Sequence, residues 1–137
     1  MSPITNKQLI NYWLKTAEHD YDTMLALFKS KRYSDSLFFG HIVLEKILKA
    51  LVVKKTKKQA KYTHNLLILL KKAGMKNIFT KKDIKLLGIV NDFNLRTRYP
   101  DYKLKFYKKA TKIYTEKYLF CIKNLYKKIW QLTKENN

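Results

Sequence analysis

Apolar residues recur at intervals of three and four along most of the chain, a pattern that predicts long amphipathic helices. The first helix is expected to open at a capping box in residues 5–8 and to end near Lys29. A second helix, running from Ser34 or Asp35 to about Lys54, is apolar on most of its sides. A helix of that kind is usually surrounded by other elements. We therefore expect it to lie at the centre of the domain and also to face a second subunit, in a homodimer.

The remainder of the chain predicts shorter elements and one more long helix. A basic connector covers residues 54–62, and Thr63 is expected to cap a short helix that Gly74 stops. A further helix should run from Thr80 through residue 93. Because Pro100 ends any helix before it, residues 94–105 are expected to be irregular, with a last helix over about 108–133. Four long helices plus one short helix predict an all-α, antiparallel up-and-down bundle in a single domain, residues 1–137.

The composition agrees with a helical protein inside the cell. Three glycines and two prolines are too few for the many tight turns of a β-sandwich or barrel. No apolar run approaches the about 18–20 residues of a membrane span, and the N-terminus does not resemble a signal peptide. The lone Cys121 cannot form an internal disulfide, and we interpret it as a core residue. Cytoplasmic location and no membrane association are expected.

Charge is the strongest signal in the composition. The chain has 30 Lys and Arg against 10 Asp and Glu, a net charge of +20. Residues 1–45 carry five of each sign, so all of the excess lies in residues 46–137. Such asymmetry indicates a polyanionic partner, which includes RNA, DNA, nucleotide phosphates and acidic proteins. Compositional drift is the alternative, but drift should raise Glu together with Lys, and Glu is scarce.

Polar residues interrupt the second helix along a single line. His41, Glu45 and Lys49 follow one another at four-residue intervals, and therefore share one face. His41, Glu45 and His64 have the chemistry of metal ligands, but lone histidines beside apolar residues are more often hydrogen-bonded core groups, so no metal is predicted. No glycine-rich phosphate loop is present, and no cofactor is expected.

Three stretches in order along the chain resemble the HEPN family, in its prokaryotic branch. They read EKILKALV from Glu45, THNLLILL from Thr63 and TRYPDY from Thr97. The resemblance implies a helical bundle that commonly forms symmetric dimers and is often paired with a minimal nucleotidyltransferase, as in toxin–antitoxin systems. Other members are metal-independent RNases with an Arg-x4–6-His motif. The chain departs from that motif, because no histidine follows His64.

We therefore expect a protein that binds nucleotide or RNA through a basic cleft, accessory to a nucleotidyltransferase. The expected ligand-binding residues are His41, Glu45, Lys49, His64, Arg96, Arg98 and Tyr99. The expected contacts to a nucleic-acid backbone are Lys54, Lys55, Lys57, Lys58 and Lys61. Three of these assignments have plain structural alternatives. Arg98 could be a helix-terminating turn residue, the lysines a solvated loop, and the line of His41, Glu45 and Lys49 a set of buried polar groups satisfied by one another and by the partner subunit.

Two other functions remain open at this level. One is an endoribonuclease in which Arg98 stabilises the phosphate and His64 or Tyr102 replaces the missing histidine in proton transfer. The other is a pure interaction module whose basic face docks an acidic protein.

Overall fold

The computed structural model describes residues 3–60, 62–96 and 100–135, without the side chains of Leu95 and Arg96. Within these ranges the chain forms six α-helices and one short 3₁₀ turn at Lys76–Ile78. The helices are α1 (Asn6–Lys29), α2 (Tyr33–Thr56), α3 (Leu66–Ala73), α4 (Lys81–Arg96), α5 (Pro100–Lys109) and α6 (Lys112–Lys134). No strand occurs in the described parts, and the predicted all-α bundle is confirmed. None of the described helices is long and apolar enough to span a membrane.

The caps of α1 and α3 show how local sequence sets the helix ends. Thr5 and Gln8 form the expected capping box, each side chain accepting a hydrogen bond from the backbone N–H of the other. The cap of α3 was predicted wrongly. Asn65 Oδ1, rather than Thr63, accepts the N–H groups of the first turn, from Leu67 and Ile68.

The segment after α4 differs from the sequence-based expectation. Residues 94–105 were expected to be irregular, but α5 begins at Pro100 and continues to Lys109. Proline is well suited to the first position of a helix, because the N–H that it lacks has no partner there. Phe106 anchors α5 to α4, with its ring 5.3 Å from that of Phe93. The last helix accordingly begins at Lys112 rather than near residue 108.

Helix α2 lies at the centre of the bundle, as expected, and packs against α1, α3, α4 and α6. Leu44, Ile47 and Leu51 are fully buried within the single chain. Gly40 allows α6 to come close, since a Cβ atom there would lie 2.6 Å from Ile122 Cδ1. Phe38, Phe39 and Ile42 of α2 are only half-buried in the single chain. The homodimer packed partly through α2 stays a prediction.

Candidate functional site

The polar line on α2 is the centre of a buried hydrogen-bond network. His41, Glu45 and Lys49 are 1%, 8% and 5% exposed. Glu45 uses both carboxylate oxygens: Oε1 accepts from His64 Nδ1 at 2.8 Å, and Oε2 accepts from Lys49 Nζ at 2.9 Å. A buried carboxylate is tolerated only when it is paired and hydrogen-bonded, and Glu45 meets both conditions.

His41 connects the same network to the connector and to α4. Its Nε2 lies 2.8 Å from the carbonyl oxygen of His64, and its Nδ1 lies 3.2 Å from Asn94 Nδ2. The carbonyl can only accept and the amide NH₂ can only donate. The neutral ring with its proton on Nε2 satisfies both contacts, and we assign that tautomer to His41.

Two aromatic rings, Trp13 and Tyr62, and the partly exposed ring of His64 lie between the network and the solvent. Lys49 Nζ lies 5.0 Å from the ring centroid of Trp13 and 5.9 Å from that of Tyr62, both cation–π distances. Tyr62 is 93% exposed. The side chain of His64 is 45% exposed, and its ring centroid is 5.7 Å from that of Tyr62. His64 is thus held by Glu45 through Nδ1, while nearly half of its side chain is exposed.

Two asparagines of α4 hold the segment that carries His64. Asn91 Oδ1 accepts from the N–H of Leu66, and Asn91 Nδ2 donates to Asn65 Oδ1. Asn94, one helical step further, binds His41. Reasoning from the sequence missed these residues. The sequence feature that could have identified them is a pair of asparagines three residues apart on the inner side of an amphipathic helix, where most residues are apolar.

The lysines that were expected to form one connector are divided by the end of α2, because Lys54 and Lys55 belong to the last turn of that helix. Lys54 and Lys57 line an open cleft of about 650 Å³ together with Lys7 of α1 and Lys134 of α6. Lys54 Nζ donates to the carbonyl oxygen of Glu135. No carboxylate is among the described residues that line this cleft. Lys7 and Lys134 were missed by the sequence analysis, because the cleft joins three helices that are distant along the chain.

Of the other predicted site residues, the structure describes some and not others. Lys58 is exposed and Lys55 half-buried, whereas Lys61 lies outside the described residues. Arg98 and Tyr99 also lie outside them, as does the side chain of Arg96. Tyr102 is exposed on α5. In the part of the chain that the structure describes, no group of three His, Cys, Asp or Glu residues is arranged to hold a metal ion.

Comparison with known proteins identifies a family and a fold. A family model described as HEPN domain matches residues 10–135. Among solved structures, the chain is similar to the crystal structure of TT1696 from Thermus thermophilus, with a TM-score of 0.76 and 18% sequence identity. The match covers 90% of this chain and 97% of that one, and at this identity it shows a shared fold. No curated protein matches the chain.

The Glu45–Lys49 pair generates a stability prediction. Glu45→Ala leaves a buried ammonium unpaired and removes the acceptor of His64, so the free energy of unfolding should fall by about 3 kcal/mol or more. In Glu45→Ala/Lys49→Met no charge is left unpaired. The double variant should therefore lose less than the sum of the two single variants, by about 1–3 kcal/mol in urea denaturation.

The exposed pair Lys112–Glu116 provides the matched control. Its residues have the same four-residue spacing, with an N–O distance of 3.9 Å and side chains 65% and 54% exposed. The same comparison of two single variants with the double variant, Glu116→Ala/Lys112→Met, should give a coupling energy of about 0.5 kcal/mol or less. Equal coupling energies for the two pairs would contradict the assigned role of the buried pair.

Proposed function

This chain belongs to the HEPN family, and on that premise we propose that it binds RNA or a nucleotide through Tyr62 and His64 and through the cleft lined by Lys7, Lys54, Lys57 and Lys134. The observation that carries the proposal is the Glu45 carboxylate, which holds His64 at the surface through a 2.8 Å hydrogen bond. A side chain held by a buried charge network has a defined position before a ligand arrives, and preorganisation of that kind lowers the entropic cost of binding.

Tyr62 supplies the surface for a base. With 93% of its area exposed, its ring contributes little to the core. Proteins that bind single-stranded nucleic acid stack bases on accessible aromatic rings, and each stacked base contributes about 1–3 kcal/mol. The Lys49 ammonium, which is paired with Glu45, lies 5.9 Å from the centroid of the Tyr62 ring.

The lysine cleft supplies the surface for phosphates. Lys49 and Lys54 are five residues apart on α2, which is about 7.5 Å along the helix axis. Five residues also rotate the helix by about 140°, so a ligand with a base on Tyr62 and a phosphate in the cleft lined by Lys7, Lys54 and Lys57 has to pass partly around α2, as a flexible single-stranded RNA can. The absence of carboxylates among the described lining residues favours an anion there.

The remaining parts of the proposal rest on the family. HEPN proteins often form dimers and are often paired with nucleotidyltransferases, and we propose both for this chain, in a toxin–antitoxin-like pair. Arg98 keeps its proposed role as an anion-binding residue, with Arg96 and Tyr99 beside it in the sequence.

Endoribonuclease activity is the second candidate, and one observation favours it. A carboxylate that accepts from one ring nitrogen of a histidine and leaves the other nitrogen accessible is an arrangement suited to general acid–base catalysis. Glu45 accepts from Nδ1 of His64, and the His64 side chain is 45% exposed. Cleavage of RNA requires a second proton-transfer group, however, and the family motif's histidine is missing after Arg96 and Arg98.

The salt dependence of RNA binding tests the leading proposal. Each phosphate neutralised on single-stranded RNA contributes about −0.7 to the slope of log K against log salt concentration. Replacing Lys7, Lys54, Lys57 and Lys134 together by Gln should therefore make the slope less negative by about 2–3. Fluorescence anisotropy of a labelled single-stranded RNA measures both affinity and slope.

The matched control removes the same charge elsewhere. Replacement of Lys29, Lys71, Lys72 and Lys76, all exposed, should leave the slope close to that of the wild type. Tyr62→Ala should weaken binding about tenfold without changing the slope, because it removes stacking and no charge. Equal slopes for the two lysine variants would show that the cleft does not contact the phosphates.

A cleavage assay separates the second candidate from the first. Purified wild type should not cleave a fluorogenic RNA in EDTA above background, because only His64 is positioned as a proton-transfer group in the described site. Arg98→Ala and His64→Ala should bind RNA more weakly. Cleavage by the wild type that either substitution abolishes would establish the endoribonuclease instead.

A further inference from the structure

A second basic surface lies between α4 and α6, apart from the proposed RNA site. The two helices flank an open groove of about 590 Å³. Its floor is apolar and contains Leu86 and Ile89 of α4 and Cys121 and Leu125 of α6. None of these residues takes part in the network around Glu45.

The rim of the groove is positively charged. Lys82 and Lys85 project from α4, and Lys117 and Lys128 from α6. Asp83 is the one carboxylate among the described lining residues, and Lys128 Nζ binds it at 2.9 Å. Burial raises the pKa of Asp83, but hydrogen bonds from Lys128 and Thr80 outweigh that effect, and the net pKa is lowered. Asp83 is thus ionised and paired with Lys128, while Lys82, Lys85 and Lys117 form no ion pair within the described residues.

Exposed apolar residues of α6 extend the groove beyond its floor. Phe120, which lines the groove, is 66% exposed, and Ile113, seven residues earlier on the same face, is 82% exposed. Large apolar side chains at a seven-residue interval are what a helix presents to a second helix packed alongside it. Lys117 lies between them on this face, so apolar and positive groups alternate along it.

We propose that the α4–α6 groove binds an acidic amphipathic helix of another protein. The apolar floor receives the leucine-type side chains of such a helix, in the helix-in-groove mode of recognition. Its flanking glutamates lie opposite Lys82, Lys85 and Lys117. A second copy of this chain docked through the same groove fits poorly, because a two-fold contact there would bring these lysines against their own counterparts. RNA would leave the apolar floor unfilled. The proposal does not depend on the RNA site.

Cys121 makes occupancy of the groove measurable. It is the chain's one cysteine, it is half-buried, and it lines the groove. The rate at which a thiol reagent modifies it should fall when a ligand covers the groove. The probe is a synthetic peptide of about five helical turns, with leucines at helical spacing and glutamates elsewhere. At a peptide concentration of about ten times its Kd, the rate should fall about tenfold, because only the unoccupied fraction reacts.

Two control peptides and two pairs of variants complete the experiment. A scrambled peptide of the same composition and a lysine version of the amphipathic peptide should give no protection. Lys82→Glu/Lys85→Glu should abolish protection by the acidic peptide, whereas Lys15→Glu/Lys29→Glu, with the same charge change on α1, should preserve it. Phe120→Ala should weaken peptide binding severalfold, and Ile4→Ala, at an equally exposed position remote from the groove, should not.

Three results would overturn the proposal. One is equal protection by the acidic peptide and its scrambled version. Protection by single-stranded RNA but not by the peptide would assign the groove to nucleic acid. Protection that grows with the protein's own concentration, without any peptide, would assign the groove to a second copy of the chain.

Discussion

The burial of a carboxylate and an ammonium in the middle of α2 determines how the neighbouring elements are arranged. Glu45 and Lys49 neutralise each other, but the carboxylate has a second oxygen that also needs a donor. The chain meets this requirement by bringing His64 back onto α2 from a position 19 residues further on. His41, one turn earlier, then takes its own partners from the His64 carbonyl and from Asn94. The buried pair is therefore joined by hydrogen bonds to the connector through His64 and, by way of His41, to α4.

This arrangement links the core to the surface. His64 has its Nδ1 in the buried network and nearly half of its side chain exposed, next to the exposed Tyr62. The two basic surfaces of the protein differ in the rest of their chemistry. The cleft at α1, α2 and α6 is lined mostly by polar and basic side chains, which favours phosphates. The groove at α4 and α6 has an apolar floor below its lysines, which favours a protein segment. The excess of positive charge thus serves two kinds of partner in our account.

Features determined by neighbouring residues could be predicted from the sequence. The capping box at Thr5 and the end of α1 at Lys29 depend only on local contacts, and both are confirmed. The central position of α2 followed from its apolar character on most sides. Helix α5 was missed because Pro100 stops one helix and starts the next equally well, and the choice depends on Phe106 packing against Phe93. The line of His41, Glu45 and Lys49 was visible, and His64 was grouped with it as a candidate ligand-binding residue. The hydrogen bond between His64 and Glu45 and the partner Asn94 were not predicted, since no periodic pattern connects them. The same reason explains why Lys7 and Lys134 were not assigned to the cleft.

The protonation of the two histidine rings tests the central claim most directly. If Glu45 holds His64 through Nδ1, then neutral His64 carries its proton on Nδ1, while neutral His41 carries its proton on Nε2. Long-range ¹H–¹⁵N NMR spectra of the imidazole nitrogens distinguish these tautomers at a pH where both rings are neutral. Our account predicts opposite tautomers for the two residues and the loss of the Nδ1–H form of His64 in Glu45→Ala. A wild-type His64 with its proton on Nε2 would contradict the network on which the proposed site depends.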